Sequence, residues 1–190
     1  MNISELVKKN RSYRRFRQET RISRDSLTSY IDLARHSASA TNRQPLKYLL
    51  YTDESDCSRI FPYTRWAGYL KDWDGPEEGE RPSAYIIILG DRSITDNYYV
   101  DHGIAAQSIL LGAVEDGYGG CIIASIDRKG LVEEIRLSDK YEVLLIIALG
   151  KPAETVVIDS VKDDDIKYWR DENGTHHVPK RGLDELIISK

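Results

Sequence analysis

Lys8, Lys9, Arg11, Arg14, Arg15, Arg17, Arg21 and Arg24 crowd into one short stretch near the N-terminus, with Glu19 the only acid among them. The whole chain is acidic, with 27 basic against 31 acidic residues and a formal charge of −4. A cationic island on an acidic background calls for a local anionic partner. Its centre, Arg11-Ser12-Tyr13-Arg14-Arg15-Phe16, combines bidentate guanidinium donors with a hydroxyl and aromatic rings, which suits a phosphate attached to a flat body. Taken alone, the cluster fits a solvated surface face equally well.

Three further segments have the residue types to meet a ligand. Ser37-Ala38-Ser39-Ala40-Thr41-Asn42-Arg43-Gln44-Pro45 offers small residues for close approach and the amides Asn42 and Gln44, although an ordinary loop has the same composition. Gly117-Tyr118-Gly119-Gly120 can bring backbone N–H groups up to a ligand edge, or simply stop a helix. Lys180-Arg181 adds cations before a terminal apolar run. The four histidines and two cysteines form no metal-ligand spacing and no nucleophile–base signature. No GxGxxG or Walker sequence is present.

Positioning these segments falls to alternating helices and strands. Ile3, Leu6 and Val7 space a short helix with Ser4 as its cap, and Arg11–Phe16 reads as extended. Leu27, Tyr30, Ile31 and Ala34 follow a helical period behind a Ser23 or Asp25 cap. Tyr48–Thr52 reads as a strand, and Ser55–Trp73 as helical pieces. Asp74–Pro82 is a turn-rich loop, and Ala84–Gly90 a strand buried on both faces. Tyr98–Asp116 is apolar round more than one face, which predicts a central helix or one partly buried against another subunit. Gly117–Cys121 ends that helix and leads into Ile122–Ile126, with Asp127–Arg136 expected as a short capped helix and Glu142–Leu149 as a strand stopped by Gly150-Lys151-Pro152. His176-His177 falls in a loop. Asp159–Lys190 is a charged tail whose Leu183, Leu186, Ile187 and Ile188 must dock somewhere. The order implies an α+β or α/β fold, and 190 residues make one domain, 1–190.

With 41% hydrophobic and 31% charged residues the composition is that of a globular protein. The apolar runs are too short to span a bilayer, and no signal peptide opens the chain. Two thiols far apart point to a reducing, cytoplasmic setting. The acidic balance argues against a general nucleic-acid surface.

In their order the segments resemble the FMN-dependent nitroreductase family. Arg11-Ser12-x-Arg14-x-Phe16 is similar to its R-S-x-R-x-F/Y opening, and Ser39–Pro45 to its S-A-x-N-x-Q-P segment. Gly117–Cys121 is similar to G-x-G-x-C, Gly150–Glu154 to G-x-P-A-E, and Lys180–Glu185 to the basic C-terminal motif. The resemblance implies an α+β fold with a mixed central sheet flanked by helices, in an intertwined homodimer with FMN at the interface. It implies that Arg11, Ser12 and Arg14 hold the phosphate, ribityl chain and pyrimidine edge. Ser37, Ala38 and Ser39 of the other subunit would pack on the isoalloxazine, with Asn42 and Gln44 nearby. Gly119 and Gly120 would bring a backbone N–H to flavin N5, and Lys180 or Arg181 would close on the phosphate. Arg15, Arg17, Arg21 and Arg24 fall back to solvated surface. Ala38 stands where the family usually has proline, and Ile122 where an aromatic residue is common.

The implied activity moves a hydride from NADH or NADPH through flavin N5 to an electron-poor small molecule such as a nitroaromatic or quinone. The flavin carries the chemistry, so no dedicated acid or base is needed, and Arg14 supplies electrostatic support. Trp66, Tyr69 and Trp73 are the substrate-stacking candidates, with core packing as their other use. The rival reading within flavin chemistry is a non-redox flavin-binding or flavin-consuming protein.

Overall fold

Alternation along one strand organises the molecule. In a computed structural model describing residues 1–188, the strand β3 (Ala84–Asp91) is buried along its whole length, as its unbroken apolar run requires. Ser189 and Lys190, the end of the expected 1–190 domain, lie outside the described residues. Ile86 and Ile88 point into one apolar cluster, while Tyr85, Ile87 and Leu89 point into another on the opposite face. β3 pairs with β2 (Leu46–Tyr51) on one side and β5 (Tyr141–Pro152) on the other, both antiparallel. β5 also pairs with β4 (Gly119–Ile123), and its last two residues with β1 (Phe16–Arg17). These ladders are antiparallel; the parallel element of the sheet is a bridge from Ser12 to Gly120.

Helices cover both faces. α2 (Arg24–Arg35) and α4 (Asp101–Glu115) close the first cluster with Leu27, Tyr30, Ile109 and Ala113. They approach closely because position 112 is glycine: a Cβ there would lie 2.6 Å from Leu33 and 3.0 Å from Tyr30. α3 (Glu54–Ile60) and α5 (Arg128–Glu134) close the second cluster through Cys57, Ile60 and Leu131. α1 (Ile3–Lys9) is capped by Asn2, not Ser4, because Asn2 and Glu5 form a reciprocal capping box.

Several boundaries differ from expectation. Gly150-Lys151-Pro152 does not end β5, because Lys151 and Pro152 pair with Arg17 and Phe16. The glycines before Cys121 are strand, not turn; only Gly117, at φ +80°, serves as the helix stop. His176-His177 lies in a strand. The tail forms a second sheet of β6 (Val156–Ser160), β7 (Trp169–Arg170) and β8 (His176–Lys180), in the order β6-β8-β7 with β6 and β8 parallel. α6 (Leu183–Leu186) follows, and the apolar residues in it and just after it dock on nothing among the described residues: Leu183 is 74% and Ile188 88% exposed. Among the described residues no helix is long and apolar enough to cross a membrane.

Ile147, fully buried in β5, carries the first cluster's side of that strand. Ile147→Ala is expected to cost about 2–5 kcal/mol, read as a lowered midpoint in urea unfolding with an unchanged slope.

Candidate functional site

The cationic segment enters the fold as an edge. Ser12 bridges Gly120, and the Tyr13 N–H donates to the Gly120 carbonyl at 3.0 Å, fixing Arg11–Arg14 against β4. A cleft of about 340 Å³ opens beside it, within the range of small-molecule sites. Arg11, Ser12, Arg14, Gly120 and Lys180 all line this cleft. Three cations therefore converge, and no aspartate or glutamate is in the wall. Arg11 donates one Nη to the Val7 carbonyl at 2.8 Å, and its buried Nε has no partner among the described residues. Arg181 is elsewhere occupied, in ion pairs with Asp164 and Glu185.

One carboxylate frames the cleft from behind. The Glu154 side chain is 1% exposed and accepts the backbone N–H groups of Arg14 at 2.5 Å and Arg15 at 3.1 Å. Its other oxygen takes the Arg170 guanidinium at 3.0 Å. Arg15 itself pairs with Glu80, while Arg21 and Arg24 donate to the Thr52 and Leu50 carbonyls. These side chains tie elements together, in place of the purely solvated role expected of them.

Arg14 is set among neutral groups. Its Nη1 approaches Ser12 O at 3.3 Å and His176 Nε2 at 3.1 Å, and its guanidinium lies 4.8 Å from the centroid of the Tyr168 ring. Burial, with Arg14 and Arg170 as further causes, pushes His176 down from 6.5 to about 4. The imidazole is thus neutral at pH 7 and accepts from the arginine.

Ser37, Ala38, Ser39 and Gln44 line a different cavity, of about 220 Å³, which shares no lining residue with the first. Its loop is strained: Thr41, Asn42 and Gln44 all have φ between 51° and 55°. Asp101, buried in the first turn of α4, holds it through Ser39 Oγ at 2.6 Å and the Ala40 N–H at 2.9 Å. Ser39 Oγ in turn accepts the Gln44 N–H at 3.0 Å. Asn42 is exposed and accepts from the Gln44 side chain at 3.2 Å.

The remaining candidates separate. Gly119 does not line the cleft; a Cβ there would lie 2.5 Å from the Tyr13 ring. Trp66 is a packing residue, buried against Phe61 with its indole N–H on Thr64 Oγ1 at 3.0 Å. Trp73 lies beneath the Arg170 guanidinium at 4.2 Å. Of the three aromatic candidates Tyr69 is nearest the site: half-exposed, with its ring 4.9 Å from that of Tyr168. Sequence reading missed Asp101, Glu154, Tyr168 and His176 as site-building groups. Glu154 stood in a quoted motif, whereas the other three had no local pattern to mark them.

The fold and the cleft define a class: an α+β protein with Arg11, Arg14 and Lys180 gathered on one cleft beside the Tyr168 ring. The family model described as Nitroreductase family matches residues 7–151, and the chain belongs to that family. The Bacillus subtilis (strain 168) protein named "Putative NAD(P)H nitroreductase YodC" is 19% identical over 180 residues, covering 79% of this chain and 89% of the relative. A nitroreductase family protein from Clostridium novyi NT superposes with a TM-score of 0.67 at 27% identity, over 80% of this chain and 87% of that one. An FMN-dependent nitroreductase from Clostridium difficile R20291 gives 0.65 at 22%, over 85% and 92%. The family match ends before β6, so the second sheet and the segment leading into it, which bring Tyr168 and Lys180 to the cleft and His176 to Arg14, lie beyond it.

Two outcomes are expected. Asp101→Ala leaves the strained loop without its anchor; trypsin should cut faster after Arg43, with stability lower by about 1–3 kcal/mol. His176 makes stability depend on pH: between 6.5 and about 4 the unfolded chain binds a proton that the folded one refuses. Its contribution is complete above 6.5 and falls as the pH drops toward 4. Subtracting the stability profile of His176→Gln from that of the unaltered protein should isolate this limb.

Proposed function

We propose that this chain is an FMN-dependent oxidoreductase. It takes electrons from NADH or NADPH and delivers them to an electron-poor small molecule such as a nitroaromatic or quinone. The observation that carries the reading is the convergence of Arg11, Arg14 and Lys180 on one cleft without a carboxylate in its wall. A phosphate monoester brings about −1.5 to −2 charges at pH 7, which this donor set answers with one cation to spare. The buried, unpartnered Arg11 Nε is a donor of the kind such a group satisfies.

FMN, when bound, supplies the hydride chemistry that no side chain here provides. Arg11 and Lys180 hold the phosphate, and Ser12 the ribityl chain. Arg14 would face the pyrimidine edge and offer its unpaired charge there. Gly120 lines the cleft with its backbone, and the sheet itself requires a glycine there, since a Cβ would stand 2.2 Å from the Ala148 carbonyl of β5. Lys180, and not Arg181, is the C-terminal cation for this role, because Arg181 is already paired twice. Tyr69 stacks on the acceptor.

The reading includes a homodimer. Ser37–Ser39 and Gln44 lie round a cavity separate from the cationic cleft, so a complete site needs the loop of a second copy. Exposed apolar residues support this: Val100 and Ile104 at the start of α4, and Leu183, Leu186 and Ile187 near the C-terminus. A single domain and a cytoplasmic setting complete the proposal; the buried thiols of Cys57 and Cys121, pushed up to about 11 and about 12, fit a reducing compartment.

Purified protein is expected to be yellow, to elute at twice the chain mass, and to bleach anaerobically with NADH or NADPH. Colourless protein that takes up no added FMN overturns the reading, and yellow protein that neither nicotinamide bleaches points to the non-redox alternative. Lys180→Ala should lower FMN affinity by roughly tenfold while Arg181→Ala leaves it near the starting value, both read by flavin fluorescence titration.

A further inference from the structure

Arg14 and Arg170 are neighbours treated in opposite ways. Glu154, buried between them, gives its charge to the Arg170 side chain and only backbone hydrogen bonds to Arg14. Among the described residues no carboxylate pairs with the Arg14 guanidinium, and no protein acceptor meets its Nε or Nη2. What restrains it is uncharged: a carbonyl, an imidazole and a phenol ring.

The imidazole is the telling one. An arginine has no acceptor, so the 3.1 Å contact requires His176 Nε2 to carry the lone pair and Nδ1 the proton. That Nδ1 is buried and has no partner among the described residues. Leaving a buried donor unsatisfied costs about 1–3 kcal/mol, so a packing role alone gives no reason to place a histidine there. Tyr168 completes the arrangement, since its ring lies 4.8 Å from the Arg14 guanidinium and 5.2 Å from the His176 ring. Both residues come from the second sheet and the segment leading into it, outside the matched part of the chain.

We propose that His176 and Tyr168 are positioning residues that fix the Arg14 guanidinium at the cleft wall without neutralising it. A carboxylate in the place of His176 would order the arginine equally well but cancel the charge that an anionic ligand needs. A neutral acceptor and an aromatic face orient it and leave two donor edges free. The anion-binding strength of the cleft therefore depends on the second sheet, although Arg11, Ser12 and Arg14 come from the N-terminal segment.

This rests on the FMN reading for its ligand, but the placement of Arg14 has its own readout. In ¹⁵N spectra of the apoprotein, the Arg14 Nη1–H₂ group, which makes both contacts and is assigned by its loss in Arg14→Lys, should be resolved from the averaged guanidinium signals. It should persist in His176→Gln and Tyr168→Phe, which keep an acceptor and a ring, and collapse in His176→Leu and Tyr168→Leu. FMN affinity should follow, falling by roughly ten- to thirty-fold in the two leucine variants, as expected when an arginine regains its rotamer freedom. His176→Glu separates order from charge: the signal stays and the affinity still falls. An unchanged Arg14 signal in His176→Leu overturns the proposal whatever the flavin does, as does full FMN affinity in folded His176→Glu. Failure of the unaltered protein to bind FMN removes the functional reading, while the spectra still decide the positioning.

Discussion

The buried Glu154 carboxylate is the contact on which the rest of the site depends. It sits just beyond the end of β5, where the main sheet gives way to the small one, and takes hydrogen bonds from the N-terminal segment and from β7. Through Arg14 and Arg15 N–H it holds the N-terminal cationic segment; through Arg170 it holds β7. A buried carboxylate needs several donors to offset its lost hydration, and here those donors are the parts that must be brought together. The desolvation of one charge thus dictates where three chain segments meet.

That arrangement explains why the fold was more legible than the site. Strands such as Ala84–Asp91 announce themselves because burial on two faces demands an unbroken apolar run, and α2 does so through its Ser23 cap and apolar stripe. The ends of elements are less legible where pairing overrides local signals. Gly150-Lys151-Pro152 reads as a stop, yet Phe16 and Arg17 supply partners that keep the strand going. The second sheet leaves no mark in the sequence, since β7 has two residues and no period can be read from two.

The site divides along the same line. Arg11, Ser12, Arg14 and Lys180 carry their chemistry in their own side chains and could be named from the sequence. Asp101 could not, because a lone acid in an apolar helix means nothing until the Ser39–Gln44 loop is folded onto it. In the sequence His176 is half of an uninformative pair, and only its burial beside Arg14 and Arg170 gives it a role. Trp66 shows the opposite error: a ring that looked available for stacking is spent on the second apolar cluster.

The contact between Arg14 and Glu154 spans 140 positions of chain, and β5 must pair with strands contributed by residues 16–17, 84–91 and 119–123. Contacts of such separation are closed only after the loop entropy between them has been overcome. A growing or truncated chain that lacks β8 also lacks Val178 and Lys180, and so cannot present the whole cleft. Any ligand that needs this cleft recognises finished molecules only, and by binding them draws the folding equilibrium toward completion.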